Sequence, residues 1–171
     1  HVLIAYAGNR MAKTLLNLAE ANRRMLYLAN LGELPPLNLN SPYFISNTFA
    51  LWESAWLSGY HYGQKQAKVL MASSLYDGGF QFARAFELGL REGGGDVHGY
   101  KVSQQEWGED TISELVEFSE EADTVFATIS NPQTAGFLEH FSTSNAEYSL
   151  IGGGLTHLGR LAEESKSIAL E

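Results

Sequence analysis

The side chains most able to do chemistry in this sequence are its histidines and a few hydroxyl and acidic residues. The five histidines, none of which shows the spacing of a metal site, are His1, His61, His98, His140 and His157. Ser73, Asp77 and His98 could be written as a nucleophile–base–acid triad, but no motif orders them. No Gly-x-Gly-x-x-Gly loop, Walker lysine or Gly-x-Ser-x-Gly turn follows a predicted strand. We therefore expect a protein that is not an enzyme and carries neither a metal nor another cofactor.

Four polar residues in two loops are better suited to reversible binding than to catalysis. They are Tyr76, Asp77, Ser130 and Asn131, and each follows a run of residues that reads as a buried strand. Phenol, carboxylate, hydroxyl and amide groups recognise a small polar molecule through hydrogen bonds. The alternative for Tyr76 and Asp77 is an Asx-type turn with no ligand.

The elements that position these loops are organised around one central stretch. The apolar run Val69–Ala72 is typical of a buried strand. Helical spacing of apolar residues predicts an amphipathic helix after it, and these residues are Phe82, Ala83, Phe86 and Leu90. Gly93–Gly95 should end that helix, and Val97–Val102 should form a second strand. The stretch is one β-α-β unit.

Repetition of that unit predicts an α/β protein with parallel, doubly wound sheets. Right-handed crossovers favour one flavodoxin-like strand order for the part after Ala67. The strands, named by one residue each, follow the order Val97, Val69, Val125, Leu150, Ile168. The chain reverses direction across the sheet between the Val69 and Val125 strands, and ligands bind beyond the carboxyl ends of strands at such a point. This places the two polar loops at the expected binding edge.

A second, smaller α/β pattern opens the chain. Val2–Tyr6 and Met25–Ala29 read as strands, and Asn9 is a fair N-cap for the helix between them. The residues expected on the inward stripe of that helix are Met11, Leu15, Leu18 and Asn22. The segment 33–42 has three prolines and no periodicity, so it is the best boundary in the sequence.

An aromatic stripe follows the boundary. Its members, at helical spacing, are Phe49, Trp52, Trp56 and Tyr60. We expect the stripe to pack onto the sheet. The alternative is a partner surface, including self-association through Trp52, Trp56 and Tyr60. Gly59 and Gly63 would permit close backbone approach in either case.

Composition excludes several classes of partner. The formal net charge is −9 and lysine and arginine do not cluster, so neither nucleic acid nor an anionic membrane surface is expected to bind. No apolar run approaches the roughly 18 residues that a membrane span needs. Cysteine is absent, which excludes disulfides and thiolate metal sites.

Several stretches, taken in order, resemble the type I periplasmic solute-binding proteins of the branched-chain amino-acid-binding kind. The stretches are LIAYAGN, MLYLAN, SPYFISN, KVLMASSLYDGGFQFARAFELGLREGGGDV, ADTVFATISNPQTAGFLEHF and EYSLIGGG. The resemblance implies two lobes, with residues 1–41 in the first and 42–171 in the second. A small solute would bind in the cleft by hinge closure. Because the chain starts and stops in strand-like runs, we expect it to be a piece of something longer.

The resemblance also implies binding residues in the first lobe. The loop after the first strand, where the family usually offers hydroxyls, here holds Asn9 and Arg10. Arg10 could bind a carboxylate with two hydrogen bonds. The alternative is a solvated residue in the first turn of the helix. The corresponding loop after the second strand holds Asn30 and Leu31.

In the second lobe this sequence departs from the family pattern. A Tyr-Gly pair common in the family corresponds to Tyr76-Asp77-Gly78, shifted by about two places. The acidic residue that commonly holds an ammonium group is missing from the loop that contains Gly153 and Gly154. We therefore expect a small polar or anionic solute rather than a plain amino acid, although Asp77 could supply the missing charge.

Delivery of the solute to an ABC transporter permease is the function that the resemblance implies. The corresponding location is the periplasm or the outside of the cell. The alternative is a sensory or regulatory domain of the same fold, attached to a signalling protein.

Overall fold

The computed structural model describes residues 2–32, 39–74, 79–103, 109–117, 122–129, 134, 136–139 and 149–152. The chain divides into two compact units, His1–Glu53 and Ser54–Glu171. The strands are β1 (Val2–Tyr6), β2 (Met25–Asn30), β3 (Phe44–Thr48), β4 (Lys68–Ser74), β5 (Asp96–Ser103), β6 (Thr124–Thr128) and β7 (Ser149–Gly152). The helices are α1 (Asn9–Ala21), α2 (Leu51–Gln64), α3 (Gly79–Gly93) and α4 (Glu109–Glu117).

The first unit contains a parallel sheet in the order β1-β2-β3. In the register, Tyr6 lies beside Ala29 and Asn30 lies beside Thr48. The carboxyl ends of the three strands therefore meet at one edge. The stretch SPYFISN contributes strand β3 to this sheet, while the proposed lobe boundary after residue 41 stays a prediction.

Helix α1 packs on the first sheet through a different stripe from the one expected. Its buried apolar residues are Ala12, Leu16 and Ala19, and they contact Leu26 and Leu28 of β2. Met11 and Leu18 were expected to face inward but are 53% and 57% exposed. The two stripes are offset by one residue. Leu15 of the expected stripe also packs partly against this core.

The second unit contains a parallel sheet in the order β5-β4-β6-β7. Val69 pairs with Val97 on one side and with Thr124 on the other, and Val125 pairs with Leu150. The predicted order of these four strands is confirmed, as is the reversal between β4 and β6. The predicted Ile168 strand lies outside the described residues.

Helix α3 supplies much of the core of the second unit. Phe82, Ala83, Phe86 and Leu90 are at most 4% exposed, so the predicted amphipathic helix is confirmed. The rings of Phe86 and Phe126 stack with centroids 3.9 Å apart. The helix ends at Gly93, and Gly94 has a φ of +98°, a left-handed conformation that favours glycine. The glycine run therefore stops the helix as the sequence predicts.

Helices α2 and α3 touch backbone to backbone through four glycines. A β-carbon on Gly59 would overlap the carbonyl oxygen of Phe86, and one on Gly63 would overlap that of Leu90. In the reciprocal direction, β-carbons on Gly89 and Gly93 would overlap the carbonyl oxygens of Trp56 and Tyr60. The close approach expected for Gly59 and Gly63 is thus confirmed.

The aromatic stripe is not the buried line of α2. The fully buried residues of this helix are Ala55, Gly59 and Gly63, whereas Trp52, Trp56 and Tyr60 are half-buried. The rings of Trp56 and Tyr60 stack on each other at 5.4 Å. The expectation that the aromatic stripe forms the packing face is therefore wrong. The buried face of α2 is the one with the glycines, because their lack of a side chain allows its backbone to contact α3. Self-association through the stripe stays a prediction.

One buried acidic side chain lies on α3. The carboxylate of Glu87 forms salt bridges with Arg84 at 2.6 Å and with Arg91 at 3.1 Å, and it also accepts a hydrogen bond from Tyr100. Burial raises the pKa of Glu87, but hydrogen bonds from Tyr100 and Arg84 and the two arginine charges outweigh it. The net effect is a pKa below the ordinary value. Burial and the bond to Glu87 raise the pKa of Tyr100.

This carboxylate should make the second unit acid-sensitive. A pKa lowered in the folded state contributes stability above the ordinary value, near 4.5, and that stability is lost as the pH falls through the folded value. We expect Glu87→Gln to lower stability by about 1–3 kcal/mol at pH 7. The variant should also lose less stability than the wild type when the pH falls below about 4.5. Urea unfolding between pH 3 and 7 measures both effects, and parallel curves for the two proteins would contradict the prediction.

Candidate functional site

The carboxyl edge of the first sheet brings two of the predicted binding residues together. Helix α1 begins at Asn9, and its N-cap is Gly8, which has extended backbone and no side-chain cap. The expectation that Asn9 caps the helix is therefore wrong. Its side-chain oxygen instead accepts a hydrogen bond from the Asn30 amide at 2.7 Å. This bond links the end of β2 to the start of α1.

Both polar atoms of the Asn30 side chain form hydrogen bonds. Its Nδ2 donates to Asn9, and its Oδ1 accepts from the backbone N–H of Gly32 at 3.0 Å. Asn30 is 4% exposed and Asn9 is 8% exposed. Two buried amides with paired polar atoms form a stable arrangement, because a buried amide left without a partner would cost free energy.

Backbone carbonyls of the loop after β2 are also engaged. Leu31 accepts a hydrogen bond from the N–H of Leu51 at 3.0 Å, and Gly32 accepts one from Trp52 at 3.2 Å. Gly32 has a φ of +85°, which a β-branched or bulky residue would not tolerate. The backbone of Leu31, a predicted binding residue, is therefore held against the start of α2.

Arg10 lies in the first turn of α1 and is exposed. That turn contains no acidic residue, and the N-cap provides no side-chain bond. The amino end of a helix carries a partial positive charge, to which Arg10 adds a full one. The electrostatics of this edge therefore favour an anion.

At the switch point of the second sheet, a pair of buried hydroxyls joins the ends of β4 and β6. Thr128 donates to Ser73 at 3.0 Å, and Ser73 donates to the Ser74 carbonyl at 3.2 Å. Ser73 and Thr128 lie side by side in the strand register and are almost fully buried. Neither hydroxyl is among the predicted binding residues. Hydroxyl residues at the ends of two adjacent strands were the available signal.

Six predicted binding residues lie outside the described residues. They are Tyr76, Asp77, Ser130, Asn131, Gly153 and Gly154. Of the strands that lead to them, β4 ends at Ser74, two residues beyond the predicted end at Ala72, and β6 and β7 end at Thr128 and Gly152. Their role in binding stays a prediction.

Two further properties concern only the part of the chain that the structure describes. None of its helices is both long enough and apolar enough to cross a membrane. Within the same ranges, no three histidine, aspartate or glutamate side chains are grouped as metal ligands would be.

The architecture is similar to that of solved ABC transporter solute-binding proteins. One, from R. palustris and in complex with benzoate, is 17% identical with a TM-score of 0.66, over 91% of this chain and 44% of that one. A substrate-binding protein from Desulfitobacterium hafniense is 13% identical with a TM-score of 0.72, over 94% and 48%. A structure from the same organism in complex with Leu is 13% identical with a TM-score of 0.68, over 90% and 47%.

Identities at this level show a shared fold. The chain spans less than half the length of these solved structures. No protein-family model matches the sequence, and no curated protein matches it. The expected α/β architecture of the type I solute-binding proteins is thus confirmed by structure.

Proposed function

We propose that this chain is part of a non-catalytic solute-binding protein that delivers a small molecule to an ABC transporter. The observation that carries the proposal is the shared fold with proteins of that class, over about nine-tenths of this chain. In parallel α/β sheets the ligand lies beyond the carboxyl ends of the strands. The paired amides of Asn9 and Asn30 lie at that edge of the first sheet.

The solute we propose is a small anionic or polar molecule. Arg10 and the uncapped amino end of α1 provide positive charge without a nearby acidic residue in the first turn. The sequence has no carboxylate at Gly152–Gly154, where the resemblance to branched-chain amino-acid-binding proteins implies an acidic residue for an ammonium group. Similar proteins were solved with benzoate and with Leu, so these two molecules define the choice to be tested.

We expect benzoate to stabilise the protein more than L-leucine does. A ligand at one hundred times its Kd adds about 2.7 kcal/mol to the free energy of unfolding. Thermal-shift measurements should use the protein expressed in its full natural reading frame. Strong stabilisation by L-leucine that Asp77→Ala abolishes would contradict the proposed anionic solute. No stabilisation by any member of a broad solute panel would contradict solute binding itself.

The variant Arg10→Ala tests the charge argument directly. It should weaken binding of an anionic solute by about tenfold, equivalent to about 1.4 kcal/mol. Arg24→Ala is the matched control, because Arg24 is also exposed but lies beyond the other end of α1. Equal effects of the two substitutions would indicate a general charge effect.

Periplasmic or extracellular location and a permease partner are part of the same proposal. They rest on the class of proteins that share the fold. Attachment to a signalling protein, with ligand sensing in place of transport, stays the alternative prediction.

A further inference from the structure

The loop after β2, together with Asn30 at the end of that strand, is joined by hydrogen bonds to two neighbouring segments. On one side, Asn30 donates to Asn9 at the start of α1. On the other side, carbonyls of the loop accept the N–H groups of residues that lead into α2. These bonds are Phe49 to Asn30 at 3.3 Å, Leu51 to Leu31 at 3.0 Å and Trp52 to Gly32 at 3.2 Å.

The orientation of the Asn30 amide follows from its backbone partner. The N–H of Gly32 can only donate, so the atom of Asn30 that faces it at 3.0 Å is the oxygen. The amide nitrogen therefore faces Asn9, whose oxygen accepts at 2.7 Å. One side chain thus determines both the position of Asn9 and the turn at Gly32.

The turn at Gly32 fits closely against the segment that leads into α2. A β-carbon at Gly32 would lie 2.7 Å from the backbone of Ala50 and 2.8 Å from the hydroxyl of Thr48. That hydroxyl accepts the N–H of Ala50 at 3.1 Å. Ala50 itself has a φ of +51°, an unfavourable conformation for a residue other than glycine. A strained backbone conformation persists where the surrounding structure holds it in place, and here that structure includes the loop after β2.

We propose that Asn30 is a positioning residue for the ligand, acting through Asn9 and Gly32 rather than by direct contact. Its side chain holds the loops after β1 and β2 in one arrangement, and the loop carbonyls hold the segment Phe49–Trp52. A ligand bound at these loops therefore also restrains the segment that enters α2. The inference rests on the proposed solute-binding function and adds a mechanism to it.

A double-mutant cycle on the protein in its full natural reading frame tests the role of Asn30. The probes are benzoate and L-leucine, and the Kd of whichever stabilises the wild type is measured by calorimetry well below every melting temperature. We expect Asn9→Ala and Asn30→Ala each to weaken binding about tenfold. The double variant should also be weakened about tenfold, rather than a hundredfold, because the two residues act as one unit.

Asn22→Ala is the matched control, because Asn22 is an exposed asparagine at the other end of α1. It should leave the Kd unchanged. A lowered melting temperature for Asn30→Ala with an unchanged Kd would show a purely structural role and overturn the proposal. Multiplicative effects of the two substitutions would indicate direct, independent contacts and would overturn it as well.

Hydrogen exchange on the wild type provides a measurement that needs no variant. Ligand addition should slow exchange of the Gly32, Leu51 and Trp52 amides severalfold, because all three hydrogen bonds involve the loop after β2. Binding without any slowing at these amides would overturn the proposal while leaving the proposed function intact. Failure of the wild type to bind any solute of the broad panel would overturn both.

Discussion

Gly59→Ala should destabilise the second unit by about 3 kcal/mol or more, at the upper end of the cost of overpacking. The added methyl group would overlap the carbonyl oxygen of Phe86 in the facing helix. A backbone carbonyl cannot move aside as a flexible side chain can, so the two helices must separate. Separation would disturb all four glycine contacts at once, including the one between Gly89 and Trp56. The melting temperature should fall by roughly 10 °C.

Ser54→Ala on the same helix is the control for the effect of alanine itself. Ser54 is exposed, and alanine is the better helix former, so a neutral or slightly stabilising result is expected. Calorimetric or circular-dichroism melting of both variants measures the difference. If Gly59→Ala melts at the wild-type temperature, the close helix contact does not exist in solution.

Phe86→Ala should cost about 3–5 kcal/mol, the range for removing a fully buried phenylalanine. Phe86 is 0% exposed and stacks on Phe126 with ring centroids 3.9 Å apart. It also contacts the ring of Tyr62 at 6.5 Å between centroids. The substitution therefore removes packing between α3, the sheet and α2 together.

Phe49→Ala provides the same chemical change at an exposed position, since Phe49 is 72% exposed. It should change stability by about 0.5 kcal/mol or less. Phe86→Leu, which keeps most of the apolar volume, should lie between the two. Urea unfolding of the three variants ranks them. Equal midpoints for Phe86→Ala and Phe49→Ala would show that α3 does not pack as described.

The strand order of the second sheet could be predicted because two constraints acted together. Apolar runs at Val69, Val97, Val125 and Leu150 alternate with helical periodicity, which favours parallel pairing. Right-handed crossovers then leave few orders, and the one chosen is observed. Helix α3 could be predicted equally well, because the spacing of its apolar residues and the glycines at its end indicate the same helix. Local sequence patterns and topology rules are sufficient to predict the fold where both indicate the same structure.

Packing faces could not be read from hydrophobicity alone. Helix α1 carries two apolar stripes one residue apart, and only contact with the sheet selects Ala12, Leu16 and Ala19. Helix α2 buries glycines while its tryptophans remain half-buried. In α2 the close contact with α3 decides the buried face, because a β-carbon on Gly59 or Gly63 would overlap a carbonyl oxygen of the facing helix.

The candidate site, too, could be predicted from the sequence only in part. The sequence predicted that polar residues follow the strands at the carboxyl edge. Its resemblance to a known family added Asn9 and Asn30 as predicted binding residues. Only the tertiary structure decided that these two amides bind each other, and that the hydroxyls of Ser73 and Thr128 meet across β4 and β6. Ser73 and Thr128, 55 positions apart, become partners through the register of β4 and β6. Asn9 and Asn30, 21 positions apart, become partners because α1 begins beside the end of β2. The hydrophobic pattern of a strand constrains its register, but the partner of each side chain is decided only when the neighbouring elements pack against that strand.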